Sequence, residues 1–327
     1  MHRAPDSFAG YGRGVALVTI DDISDAANRI EGLVLRTPLV DNQVLSHEFG
    51  TRVLLKAENL QHAGSFKVRG ALNTLLTWQE RGELPEGVVS FSAGNHAAAV
   101  AYAGKRLGVR VIVAMPSNPV PSKVANVRRF GGEIVPTDDL AATLAELAEE
   151  HGFPILHPFD QPEVIAGQGT AGLELCADGP PPDLVLVPVG GGGLLSGVAA
   201  AVRKLAPSAR VVGVEPATSN AMSQSLAAGK VVRIDNPSAT VADGLTAPFA
   251  GEHTLPHVQA YVDDVVEVDE AAISAAWPEL IESSKLLVEP ASAVCLAALR
   301  SGVVEAPRDG VTVLVVSGGN ADLTRLA

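Results

Sequence analysis

Lys67 stands in the run Gly64-Ser65-Phe66-Lys67-Val68-Arg69-Gly70-Ala71, where a glycine-serine turn opens an apolar helix and puts the lysine in its first turn. A cation is mildly disfavoured at that end of a helix, which is already positive. An anionic ligand would compensate, and so would a lysine tied up covalently, because an amine is a usable nucleophile once its charge is removed or its pKa lowered. A solvated surface lysine is the plain alternative, so Lys67 alone decides nothing. Gly190, Gly191, Gly192 and Gly193, with Leu194 after them, say more. A strand-like apolar run over 184–189 enters four glycines and then a helix start, so bare backbone amides and a positive helix end converge on one point. Consecutive glycines cost backbone entropy without packing anything, which favours a phosphate site over a mere tight turn. No Lys-Ser/Thr pair comes after them, and no Gly-x-Gly-x-x-Gly fingerprint with a well-placed ribose acid is present. A monophosphate cofactor fits better than ATP or NAD.

Ser92-Ala93-Gly94-Asn95-His96 also joins a strand to a helix, with hydroxyl, amide and imidazole groups added. That set suits a carboxylate that must be oriented, or else Asn95 is a cap and His96 an ordinary first-turn residue. Ser317-Gly318-Gly319-Asn320 repeats the device after the last strand, with a serine able to bond a ring nitrogen or to cap a turn. Glu289, before Pro290 and a buried-looking helix, is either a pKa-shifted site carboxylate or a first-turn acid. Gly244 ends a polar turn, Thr240 to Gly244, where it allows close approach of a flat ligand or simply completes an Asp-Gly turn. The eight histidines form no set at metal spacing, no metal is expected, and there is no Gly-x-Ser-x-Gly elbow.

Elements able to position these residues alternate along the chain. Strands are predicted over 53–57, 88–91, 109–115, 133–135, 155–156, 184–189, 210–215, 265–268 and 311–316. Helices are predicted from Thr19 to about 31, from Lys67 to near Gly82, and over 95–107, 121–130, 140–150, 162–176, 195–205, 220–228 and 269–284. Roughly the first 18 residues read as a loose leader. Alternation of this kind means parallel sheets with right-handed crossovers, an α/β fold. Residues 87–159, with four strands and three helices of their own, read as a small mobile substrate-side domain, and 1–86 with 160–327 as a large cofactor-binding domain. A cleft between two lobes is where a ligand belongs.

The 327 residues are 47% hydrophobic and 19% charged, which is globular, and a net charge of −13 disfavours nucleic acid and anionic membranes as partners. Cys176 and Cys295 sit on apolar helical patterns without ligand spacing, which suits core packing in a reducing cytoplasm. No apolar run approaches bilayer length.

Taken together, Ser65-Phe66-Lys67-x-Arg69-Gly70-Ala71, Ser92 to His96, Gly190 to Gly193 and Ser317 to Asn320 resemble the threonine/serine dehydratase branch of the fold type II pyridoxal-phosphate enzymes, from about Thr19 to Asp322. The resemblance implies a tryptophan synthase beta-like fold of two lobes, each with a mainly parallel twisted sheet flanked by helices, and a homodimer. It implies that Lys67 carries pyridoxal 5'-phosphate as a Schiff base, that Gly190 to Leu194 cradle the phosphate, and that Asn95 contacts the ring hydroxyl. Ser317 would face the pyridine nitrogen, Phe66 and Gly244 would cover the two ring faces, and Glu289 would stand near the ring. Ser65 and the loop Ser92, Ala93, Gly94, Asn95, His96 would take the carboxylate of a small amino-acid substrate. A neutral serine leaves the ring nitrogen unprotonated, which favours β-elimination over transamination. The implied reaction has the substrate amine displace Lys67, the freed lysine remove the α-proton, and the β-hydroxyl leave with help from the cofactor phosphate. The enamine then hydrolyses to a 2-oxo acid and ammonia, from L-threonine, L-serine, or another β-hydroxy amino acid such as 3-hydroxyaspartate or phenylserine.

Four departures refine this reading. Racemases of the family use a serine on the opposite ring face where this chain has Ala93, which cannot carry a proton. Relatives that bind a divalent cation pair a glutamate matching Glu215 with an aspartate, and Ala221 stands there instead. Cysteine synthases carry threonine in place of His96. The chain stops soon after Asn320, so a C-terminal regulatory domain and isoleucine feedback are not expected.

Overall fold

The apolar run Leu184–Pro188 is buried along its whole length, as a central strand with helices on both faces must be. The computed structural model describes residues 15–92, 94–117, 119, 121–235, 237 and 239–323.

In chain order the elements are α1 (Ile20–Ile30), β1 (Leu39–Asp41), α2 (Gln43–Phe49), β2 (Arg52–Ala57), α3 (Lys67–Glu80), β3 (Gly87–Phe91) and α4 (Asn95–Leu107). Then come β4 (Arg110–Pro116), α5 (Pro121–Arg129), β5 (Glu133–Thr137), α6 (Leu140–His151), α7 (Pro162–Asp178), β6 (Leu184–Pro188), α8 (Gly193–Leu205) and β7 (Arg210–Pro216). The remaining elements are α9 (Ala221–Ala228), α10 (Thr254–Tyr261), β8 (Asp264–Val268), α11 (Glu270–Ser284), α12 (Pro290–Arg300) and β9 (Val311–Val316). Local chemistry sets many of these limits. Thr19 and Asp22 form a capping box that starts α1, and Gly108 in the left-handed region (φ 72°) ends α4.

Six strands form one sheet in the order β1-β2-β9-β6-β7-β8, and three form a second in the order β3-β4-β5. Among these named strands every pairing is parallel except that of β1 with β2. The α/β, mainly parallel, two-sheet architecture is therefore the expected one. Helix α12 is buried at every position from Pro290 to Leu299 and packs under the large sheet, while α7 and α8 cover its other face.

The structure departs from the sequence reading in four places. β1, α2 and α10 are elements the sequence reading does not include, because each is short and lacks a long apolar period. Residues 155–156 form no strand; Ile155 makes only an isolated bridge to Val89, so the small sheet has three strands and not four. The predicted leader lies mostly outside the described residues, but its end is docked: Val18 is buried and its amide donates to His257 Nε2 at 2.7 Å. Cys295 is buried in the core as expected, whereas Cys176 is only partly buried.

Candidate active site

Lys67 is the first residue of α3, and backbone pairing ties the turn before it to the segment after β9. Ser65 bridges Gly318, Phe66 N–H donates to the Ser317 carbonyl at 3.2 Å, and Gly319 N–H donates to the Gly64 carbonyl at 2.9 Å. Two motifs far apart in the chain are thus one structural unit, which is how Lys67 and Ser317 come to line the same slot.

Lys67 Nζ donates to the Pro158 carbonyl at 2.6 Å and lies 5.0 Å from the centre of the Phe66 ring. Burial lowers its pKa to about 8, with the Glu289 carboxylate opposing the shift. A free amine is therefore accessible near neutral pH.

The slot around Lys67 is lined by Phe66, Asn95, Phe159, Gly190 to Leu194, Gly244, Glu289 and Ser317. Helix α8 starts at Gly193, and Gly192 before it has φ 91°, a backbone that favours glycine. A Cβ on Gly191 would overlap the Phe159 ring, so the loop can approach a ligand only as bare backbone. Glu289 accepts from Asn95 Nδ2 at 2.6 Å through Oε1, while its buried Oε2 has no hydrogen-bond partner. Burial raises this carboxyl to about 7. Ser317 Oγ lies 3.3 Å from Ser292 Oγ. Amides converging on a helix start, a serine deep in the slot, an aromatic wall and an amine fit pyridoxal phosphate, and Glu289 with its orphaned oxygen lines the same space.

A wider vestibule of about 300 Å³ opens beyond the slot and shares Lys67, Asn95, Phe159, Gly190, Gly191 and Gly244 with it. Ser92, Gly94 and His96 line the vestibule. Ala93 lies outside the described residues. Ser65 is buried with an unpartnered Oγ, though it lines neither space. His96 donates from Nε2 to the Leu156 carbonyl at 3.2 Å, and burial together with the charge of Lys67 holds its pKa well below the usual value. The neutral ring then presents an acceptor at its unpartnered Nδ1, so it does not serve a carboxylate as a donor. Sequence reasoning missed Pro158, Phe159 and the ion pair of Lys123 with Asp243 at 2.8 Å, which also line this space. Pro158, Phe159 and Lys123 carry no local motif, and Asp243 is marked only as part of its Asp-Gly turn.

Residues 30–318 match the family described as "Pyridoxal-phosphate dependent enzyme". The chain belongs to this family. As a pyridoxal-phosphate dependent enzyme it is 43% identical over 309 residues to an L-threonine ammonia-lyase of Geobacter sulfurreducens, covering 93% of this chain and 76% of that protein. It is 39% identical over 315 residues to an L-threo-3-hydroxyaspartate ammonia-lyase of Pseudomonas, covering 95% and 98%. Among solved structures, a threonine deaminase of T.th. superposes with a TM-score of 0.87 at 43% identity, covering 93% of this chain and 99% of that one.

Proposed function

We propose that this enzyme is an ammonia-lyase that converts L-threonine, L-serine or both to 2-oxobutyrate or pyruvate and ammonia. The observation that carries the reading is a single lysine, lowered to about 8, at the junction of the glycine slot and the vestibule. Pyridoxal phosphate, when bound, supplies an electron sink for the pair left at the substrate α-carbon. Amides of Gly190 to Leu194 would hold its phosphate, Phe66 and Gly244 would flank its ring, Asn95 would meet the ring hydroxyl, and Ser317 would accompany the ring nitrogen without protonating it. Lys67 as free amine removes the α-proton, and the Pro158 carbonyl holds one of its hydrogens so that the lone pair is aimed. Ser92 and the amides of Asn95 and His96 would orient the substrate carboxylate.

The two sheets support a division into a large domain, 1–86 with 160–327, and a smaller substrate-side domain, 87–159, that moves against it. A homodimer in the cytoplasm belongs to the same reading; among the described residues no helix is long and apolar enough to cross a membrane. Purified protein given L-threonine, L-serine, 3-hydroxyaspartate and phenylserine should release 2-oxo acid from threonine or serine. Formation of D-serine without 2-oxo acid would instead establish a racemase.

A further inference from the structure

We propose that Lys123 is a substrate-binding residue that supplies the positive charge opposite the substrate α-carboxylate, with Asp243 holding it in the absence of substrate. The inference rests on the amino-acid substrate proposed above. Among the described residues that line the vestibule, Lys67 and Lys123 are the cations, and His96 is neutral. Lys67 is committed to the α-proton, which leaves Lys123. Its stem lies against the carboxylate loop, where a Cβ on Gly94 would meet Lys123 Cδ at 2.8 Å and Nζ at 3.2 Å. The side chain is 7% exposed, so its charge is little screened, and its Nζ bonds Asp243 Oδ2 at 2.8 Å. A substrate carboxylate entering beside Gly94 meets this ammonium and shares or replaces the aspartate, forming a charge-assisted hydrogen bond.

The test uses holoenzyme and two unreactive probes, L-alanine and L-alaninamide, which differ in the charge of the carboxyl group and have no β-leaving group. Dissociation constants are read by calorimetry. For Lys123→Met, alanine should bind roughly 10–100-fold more weakly while alaninamide is unchanged, and Lys123→Arg should recover most of the loss. Equal weakening of both probes would show a structural role and overturn the proposal. Unchanged alanine binding would overturn it too, as would a loss that arginine leaves unrepaired. Threonine and serine turnover by the unsubstituted enzyme, read in the same preparation, separates failure of this inference from failure of the ammonia-lyase reading.

Discussion

At the scale of single residues, the Glu289 carboxyl has a folded pKa of about 7 against an ordinary 4.5, so between those values the folded protein keeps a proton that the unfolded chain releases. Its contribution is fully present below about pH 4.5 and is lost as pH rises through about 7, by about 3 kcal/mol at most. Urea midpoints of cofactor-free protein should therefore fall more steeply between about pH 5 and 7 in the wild type than in Glu289→Gln. Parallel slopes would remove the buried-acid assignment. Between the two readings left open by sequence, site carboxylate or first-turn acid, burial and the bond from Asn95 favour the first, and a local motif encodes neither.

At the scale of elements, the glycine loop depends on how closely α7 and α8 approach. A Cβ on Gly197 would overlap the Ile165 carbonyl oxygen and lie 2.5 Å from the Gly169 nitrogen, both backbone atoms that cannot turn aside. Gly197→Ala should cost about 1–3 kcal/mol in denaturant unfolding despite the better helix propensity of alanine, and should weaken pyridoxal phosphate binding because α8 carries the loop at its start. Unchanged stability and affinity would show that the helices have room to part. The strand into Gly190 to Gly193 and the helix after it are legible in the sequence because apolar run, glycines and helix succeed one another locally. The opposing wall is not, since Phe159 and Thr254 reach the loop from elsewhere, the latter donating to the Gly191 carbonyl at 2.7 Å.

At the scale of the whole molecule, a buried ionic network joins β2, α3 and α7 behind Lys67. Arg69 donates to Glu58 at 2.8 Å and to Glu174 at 2.7 Å, and Lys56 donates to Glu174 at 2.6 Å. Removing one partner strands a buried charge, so Arg69→Met should cost about 3–5 kcal/mol, read as a lower urea midpoint. Adding Glu58→Gln should restore part of it, and a fully additive loss would contradict the network. The sequence marks Arg69 only as part of a motif; its partners are set by how the chain folds back. The most direct measurement is 2-oxo acid release from L-threonine and L-serine by the wild type and by Lys67→Ala, each loaded with pyridoxal phosphate. Turnover in the wild type that disappears in Lys67→Ala is the expected result, and turnover that persists without the lysine would contradict the central claim.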